Sequence, residues 1–306
     1  MTTLSAHLEE YLRLRRSLGF QLDEPGRLLP TLIEYVDAAG ADTITTDLAI
    51  AWAKLPQGVQ PLHWAHRLSA ARGFARYLQT IDPATEVPPR DVFGARQQRP
   101  TPYLWSQSDI CRLLEGARTL RSPLRGATHE ALFGLLAASG MRIGEALALR
   151  RGDLDLDTGV ITIREAKFDR SRLVPLHSTT TEALGRYALE RDRLCAKPRS
   201  DAFFLSSTGT KLRHSGVSKT FRQITIAMGL RTATVHPRIH DLRHSLAVRT
   251  LIEWQRSGAN VDEHIGVLSN FLGHVNAVGT YWYLQASPEL MELAALRLDG
   301  RFGAQQ

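Results

Sequence analysis

Apolar residues recur every three or four positions through the first 95 residues, which is the period of an amphipathic helix. The runs with this spacing cover residues 4–14, 28–36, 48–53 and 68–78. Gly19 and Gly40 follow the first two runs as typical helix stops, and Thr45 precedes the third as a helix cap. The pattern predicts four helices that pack as a small bundle.

Prolines and a glycine interrupt this pattern between residues 83 and 102. Proline removes a helix donor and favours extended chain, so the stretch is typical of a connection between domains. We therefore predict a helical domain over residues 1–95, a linker over 96–102 and a second domain over 103–306.

Apolar residues of the second domain recur with both the helical and the strand spacing. Helical spacing recurs over residues 109–117, 129–138, 145–149, 180–194, 217–228, 240–254, 261–272 and 288–298. Residues 160–163 alternate between apolar and polar, as a strand does, and 173–176 form a second short β run. The chain is thus predicted to be mainly α with a small antiparallel β-sheet, an α+β fold.

Composition narrows the class of protein. The 306 residues are 43% hydrophobic and 23% charged, as in ordinary globular proteins. The longest nearly apolar stretch, 131–141, is shorter than the ~20 residues of a membrane span. Two cysteines, Cys111 and Cys195, form neither a disulfide framework nor a cysteine-rich zinc site, and this predicts a reducing cytoplasm.

The net charge of +7 is unevenly distributed. Residues 1–96 hold 10 basic and 11 acidic side chains, whereas the remaining residues hold 28 and 20. The positive excess therefore lies in the second domain, as expected if that domain contacts a polyanion such as DNA.

The densest group of candidate functional residues is the run 236–245, with the sequence HPRIHDLRHS. Residues three and four apart share a helix face, so His240, Arg243 and His244 are expected to point the same way. Four interpretations stay open: a solvated basic helix end, anion-binding catalysis, a nucleic-acid contact, or a metal site that includes His236. The zinc-protease pattern needs Glu after the first His, and Asp241 follows here.

A second group is the run SGMRIGE at residues 139–145. A flexible turn after an apolar helix places Arg142 at the start of the next helix, where the helix dipole disfavours a cation. An anion bound there would relieve this mismatch. A plain ion pair between Arg142 and Glu145 is the alternative.

The remaining candidates lie in a turn and near a helix end. Lys167, in the turn between the two strands, is either solvated or directed into a groove, where it would donate a proton or contact a phosphate. A Phe-Leu-Gly-His run ends at His274, and Tyr281 and Tyr283 follow it. Spacing alone assigns neither tyrosine a role, because aromatic residues near a helix usually belong to the core.

In combination, these motifs resemble those of the tyrosine recombinases, also called phage-type integrases. That family has a Gly-x-Arg-x-x-Glu turn, a hairpin Lys, His-x-x-Arg-His, Leu-Gly-His and a later Tyr, and all occur here in the same order. Lys167 lies eight residues before Pro175, and Tyr283 lies nine residues after His274, as in the family. The catalytic residues that the resemblance implies are Arg142, Lys167, His240, Arg243, His274 and Tyr283, with Glu145 in support.

The resemblance also implies a fold and an activity. Residues 1–95 would be a core-binding (SAM-like) domain and 103–306 a catalytic domain with a C-terminal tail helix. The protein would be a site-specific DNA recombinase that works through a 3′-phosphotyrosyl intermediate, for integration or excision of a bacterial mobile element. No cofactor or metal is implied.

The implied partners are double-stranded DNA, further copies of the chain in a tetramer that exchanges its C-terminal helices, and an accessory recombinase or DNA-bending protein. The protein would then act at the nucleoid in the bacterial cytoplasm. We expect the DNA contacts to come from five arginines: Arg67, Arg72, Arg76, Arg170 and Arg172.

Three alternatives remain at this point. The first is a DNA-binding protein that lacks strand transfer. The second is a zinc hydrolase that uses His236, His240 and His244. The third is a type IB topoisomerase, which shares similar chemistry but relaxes DNA as a monomer.

Overall fold

The structure, a computed structural model, describes residues 3–94, 101–164, 171–274, 278–285 and 289–292. The chain forms two compact units and passes from one to the other between residues 94 and 101. Most of the predicted linker lies outside the described residues. No helix in the described part of the chain is long and apolar enough to cross a membrane.

The first unit is a bundle of helices. These are α1 (Thr3–Ser17), α2 (Asp23–Ala38), α3 (Thr46–Ala53) and α4 (Pro61–Leu78). The predicted cap at Thr45 is present, because its Oγ1 accepts the Leu48 N–H at 3.3 Å. The apolar faces enclose a core that includes Trp52 and Phe74, both fully buried.

The second unit is mostly helical. Its helices are α5 (Gln107–Arg118), α6 (Pro123–Ser139), α7 (Ile143–Ala148), α8 (Ser178–Leu194), α9 (His214–Ala227), α10 (His240–Arg256), α11 (Val261–Leu272) and α12 (Val278–Tyr281). Helix α6 is central and packs against α5, α8 and α10. Short 3-10 helices cover Arg151–Asp153 and Trp282–Gln285.

A small sheet completes the second unit. Strands β1 (Leu154–Asp155), β2 (Val160–Arg164) and β3 (Ser171–Pro175) are antiparallel in the order β1-β2-β3. Ile161 pairs with Val174, and both side chains are buried on the face toward the helices. The predicted fold class is confirmed, and β1 is an addition, because two residues are too few to show an alternating pattern.

Three helices, α2, α4 and α6, begin five to seven residues earlier than the sequence predicted. Helix α6 begins at Pro123 and not near residue 129, because polar and small residues in its first turns hide the apolar period. Of the predicted tail helix over 288–298, residues 289–292 are described, and they are helical.

Candidate active site

Two helix ends supply the carbonyl groups that hold the arginines of the site. Helix α6 ends at Gly140 and helix α11 at Gly273, both with left-handed backbones (φ 60° and 70°) that favour glycine. The Gly140 carbonyl accepts a hydrogen bond from Arg243 Nη1 at 2.7 Å. The Gly273 carbonyl accepts one from Arg142 Nη2 at 2.6 Å. The two glycine motifs of the sequence are therefore the anchors of these two side chains.

The carboxylate of Glu145 binds both Arg142 and Arg172. Its carboxylate accepts the Arg142 backbone N–H at 2.8 Å and Arg142 Nη1 at 2.7 Å, as in a helix capping box. Arg172 donates two further hydrogen bonds, at 2.8 and 3.1 Å. Burial acts to raise the pKa of Glu145, but the hydrogen bonds from Arg172 and Arg142 hold it below its usual range.

Both sequence interpretations of Arg142 are compatible with this geometry. The ion pair with Glu145 is present, and 40% of the Arg142 side chain is still exposed. The guanidinium is thus held by Glu145 and by the Gly273 carbonyl, while part of the side chain stays exposed to solvent.

Arg243 is buried, with 2% of its surface exposed. Its Nη2 has no hydrogen-bond partner within the described part of the chain. Burial lowers the pKa of Arg243, and the nearby Tyr283 acts to raise it. A desolvated guanidinium with a donor to spare is a strong attractor for an anion.

Tyr283 lies in the 3-10 helix after α12 and is 2% exposed. Its ring stacks on His274 at 6.0 Å between ring centroids and meets His244 edge-on at 5.3 Å. Tyr281 is 43% exposed. The structure therefore brings Tyr283, and not Tyr281, to the arginines and histidines.

Both predicted catalytic histidines are held in the neutral form. Burial and the charges of Arg243 and Arg142 lower the pKa of His274 to about 4. His240, at the first turn of α10, is partly open to solvent, yet burial of its ring and the charge of Arg243 lower its pKa as well. A neutral imidazole can accept a proton at one ring nitrogen and donate a hydrogen bond from the other.

The described site thus contains five of the predicted catalytic and supporting residues, besides Tyr283, at one end of α10. They are Arg142, Glu145, His240, Arg243 and His274. Lys167 and Arg170 lie outside the described residues.

Three arginines of the predicted DNA-contacting set occupy other environments than the sequence suggested. Arg67 is 9% exposed, and its guanidinium stacks 4.0 Å from the Trp52 ring and donates to the Trp52 carbonyl at 3.0 Å. Arg72 donates to the carbonyls of Pro88 and Pro89. Arg172 is 14% exposed against Glu145. The structure gives these three arginines partners within the protein, and their contact with DNA stays a prediction.

The DNA contact of Arg76 stays a prediction. Arg76 is exposed on α4, and burial first, and then the charges of Arg76 and Arg90, act to lower the pKa of the neighbouring Arg72. Arg76 and Arg90 are both exposed, and a polyanion can therefore reach their charges.

The histidine arrangement does not resemble a metal site. His240 and His244 stand edge-to-face at 4.6 Å, and His236 is exposed in the preceding loop. The described ranges contain no group of three histidine, cysteine or acidic residues placed to hold a metal ion.

Sequence reasoning missed two contacts of the site. Thr280 is fully buried, and its Oγ1 lies 2.7 Å from His274 Nδ1. His244 packs between His240 and Tyr283. A threonine three residues before the tyrosine was a visible signal for the first, and the i,i+4 spacing of the histidines was one for the second.

The chain is similar to known proteins in both sequence and fold. Residues 106–289 match the model of the phage integrase family. The chain is 42% identical, over 99% of both lengths, to y4rB of Sinorhizobium fredii (strain NBRC 101917 / NGR234), a protein whose name assigns it as an integrase/recombinase. It is 32% identical to the tyrosine recombinase XerC of Pelotomaculum thermopropionicum, over 77% of this chain and 74% of that one.

Among solved structures, the fold resembles the Tn1549 transposon integrase in complex with transposon right end DNA. The TM-score is 0.66 with 17% identity, over 98% of this chain and 99% of the other. XerH site-specific recombinase bound to its difH substrate gives a TM-score of 0.60 with 22% identity, over 82% and 69%.

Proposed function

This chain belongs to the phage integrase family, the tyrosine recombinases, which cleave and rejoin DNA strands, and we propose that it is a site-specific recombinase that moves a mobile genetic element. Tyr283 attacks a DNA phosphodiester and forms a 3′-phosphotyrosyl bond. The similarity to the Tn1549 transposon integrase supports the mobile-element role.

One observation carries the proposal: the buried Tyr283 lies beside the guanidinium group of Arg243 and the neutral imidazole of His274. Arg243 and Tyr283 act on each other electrostatically, and the His274 ring stacks on Tyr283 at 6.0 Å. A tyrosine hydroxyl ionises near pH 10 and needs such help to act as a nucleophile at neutral pH.

The arrangement fits transfer of a phosphoryl group. As the Tyr283 oxygen bonds to phosphorus, negative charge grows on the non-bridging oxygens, where Arg142 and Arg243 supply guanidinium donors and His274 a further one. The bond from phosphorus to the 5′ oxygen breaks. The phosphotyrosine preserves the energy of the broken bond, so a second strand can reverse the step without ATP.

Two proton transfers complete the step. The neutral His240 takes the phenolic proton from Tyr283, directly or through a solvent molecule. Lys167, which lies outside the described residues, gives a proton to the departing 5′ oxygen. Atoms and charge then balance, with a free 5′-hydroxyl as the leaving group.

The same proposal extends to partners. Double-stranded DNA is the substrate, which Arg76 and Arg90 contact at phosphates. Residues 1–95 act as the core-binding domain and 103–306 as the catalytic domain. Four copies act on paired sites in the bacterial cytoplasm at the nucleoid, exchange their C-terminal helices, and use an accessory recombinase or DNA-bending protein.

Covalent capture tests the function. The protein is mixed with nicked duplexes that tile the DNA flanking its gene, in the presence of a chelator, and then denatured in SDS. We expect a protein–DNA adduct, and sequencing of the attached strand identifies the cleavage site.

Two matched tyrosine variants assign the nucleophile. Tyr281→Phe is expected to form the adduct and Tyr283→Phe to form none, at equal DNA affinity. An adduct that persists in Tyr283→Phe would refute this nucleophile, and an adduct that needs a metal ion would refute the mechanism.

A further inference from the structure

The hydroxyl of Thr280 is bound to the imidazole of His274. Thr280 Oγ1 lies 2.7 Å from His274 Nδ1, and the threonine is fully buried. A buried hydroxyl that lacks a hydrogen-bond partner is unfavourable. Valine would fill the same volume and would need no such partner. The imidazole of His274 is therefore the hydrogen-bond partner that this buried hydroxyl needs.

Both ends of this hydrogen bond are anchored. The backbone N–H of His274 donates to the Ser269 carbonyl at 2.9 Å, in the turn that closes α11. Thr280 sits on the short helix α12, three residues before Tyr283, whose ring stacks on His274 with 20° between the planes. The bond thus fixes the imidazole ring relative to the tyrosine.

The protonation state of His274 gives this contact a chemical meaning. Because the pKa of His274 is about 4, the ring is neutral at physiological pH and carries a single N–H. A phosphate oxygen only accepts hydrogen bonds. The ring can therefore serve a phosphate only if its proton is on Nε2, which leaves Nδ1 as an acceptor.

We infer that Thr280 is a positioning residue, which donates its hydroxyl proton to His274 Nδ1 and so selects the Nε2–H tautomer that donates to the scissile phosphate. The use of this tautomer rests on the proposed recombinase function. The selection of the tautomer does not, since it is a property of the protein without DNA.

The tautomer is measured directly by NMR on the full-length protein labelled with ¹⁵N-histidine. The His274 signals are assigned by their absence in His274→Gln. We expect Nδ1 of wild type to show the chemical shift of an unprotonated ring nitrogen, and Nε2 that of a protonated one. A protonated Nδ1 in wild type would overturn the inference, and this test needs no Thr280 variant to fold.

A matched pair of variants tests the hydroxyl. Thr280→Ser keeps it and Thr280→Val removes it at equal volume. We expect a single tautomer in Thr280→Ser and a mixture in Thr280→Val. A single Nε2–H tautomer in a folded Thr280→Val would overturn the inference.

Covalent capture then connects the tautomer to the reaction. At DNA concentrations that saturate binding, we expect adduct formation in Thr280→Val to be slower by the factor by which its Nε2–H population falls, and in Thr280→Ser to stay within about threefold of wild type, since only the Nε2–H tautomer supplies this donor to the transition state. If wild type shows the expected tautomer but no variant or wild type forms an adduct on any duplex, the recombinase proposal fails while the tautomer assignment stands.

Discussion

The side chain of Arg172 shows how one contact changes the role of a residue. In the sequence it is one of several basic residues beside a β-turn, where a phosphate contact is the natural expectation. In the structure it is 14% exposed and forms two hydrogen bonds with Glu145, which also holds Arg142. Its guanidinium is therefore paired with the same carboxylate that holds the guanidinium of Arg142.

This role separates Arg172 from Arg76 in two measurements. We expect Arg172→Gln to slow adduct formation at least tenfold without a change in the salt dependence of DNA affinity. Arg76→Gln, which removes an exposed cation, should lower the slope of log affinity against log salt by about 0.9 and leave the cleavage rate at saturation unchanged. The opposite assignment of the two effects would contradict our interpretation of Arg172.

The low pKa of His274 has a consequence for stability. An unfolded histidine titrates near pH 6.5, whereas His274 in the folded protein titrates near 4, first because it is buried and second because Arg243 and Arg142 lie close. Between these two values the unfolded chain binds a proton that the folded chain does not. The contribution of His274 to stability is thus complete above pH 6.5 and is lost as the pH falls toward 4.

We expect the free energy of unfolding of wild type, measured in urea without DNA, to rise from pH 4 to pH 6.5 more steeply than that of His274→Gln. The two curves should run parallel above pH 7. Parallel curves through the whole range would show that the folded and unfolded pKa values of His274 are alike.

At the scale of elements, the ends of helices α6 and α11 position the arginines of the site. Gly140 and Gly273 end α6 and α11 with left-handed backbones, and each carbonyl holds one arginine. Gly273 has a second constraint, because a Cβ there would meet the Arg172 guanidinium at 2.6 Å. The helix end, the strand residue and the capping glutamate Glu145 are therefore one packed unit.

Gly273→Ala and Gly258→Ala form a matched pair that tests this unit. Both glycines follow a helix with positive φ (70° and 78°), but a Cβ at Gly258 meets nothing within 4 Å. We expect both variants to lose about 1 kcal/mol of stability from the left-handed backbone. Only Gly273→Ala should also slow adduct formation tenfold or more, because its methyl group displaces Arg172 from Glu145.

A double-mutant cycle supplies the control for this prediction. If Gly273→Ala acts through Arg172, its effect on the rate should largely vanish in an Arg172→Gln background. Full additivity of the two effects would place the cause of the slower rate elsewhere.

The elements themselves were largely predictable, and the contacts between them were not. Apolar periodicity located α11 to the residue and gave strands β2 and β3 within two residues. The Arg142–Gly273 contact, by contrast, joins residues 131 positions apart. Local periodicity holds no information on such a contact, which is why only the resemblance to a family could assemble these motifs into one site.

The burial of Arg67 is another feature that the spacing of residues within one helix could not predict. Arg72 and Arg76, four residues apart, share a face of α4, whereas Arg67 lies about 180° around the helix from Arg76. The aromatic ring of Trp52, which covers Arg67, comes from another helix. A helical period fixes the angle of a side chain around its axis, whereas its burial is decided by what packs there.

At the scale of the whole molecule, the proposed nucleophile Tyr283 is packed within its own chain. Tyr283 belongs to a core cluster with Val248 and Leu272, and it contacts His244 and His274. These neighbours come from the same unit as Arg142 and Arg243. The geometry therefore favours cleavage in cis, in which one protomer supplies both the nucleophile and the arginines.

Mixing two inactive variants tests cleavage in cis. Tyr283→Phe keeps the arginines, and Arg142→Lys keeps the tyrosine but loses the planar guanidinium, which we expect to slow cleavage about 100-fold. If each protomer cleaves with its own tyrosine, an equal mixture should form no more adduct than Arg142→Lys alone. A mixture of wild type with Tyr283→Phe, in which only wild type becomes linked, shows that mixed assemblies still cleave. Adduct on Arg142→Lys protomers at near wild-type rates in the first mixture would mean that Tyr283 leaves its core cluster and attacks at the arginines of a neighbour.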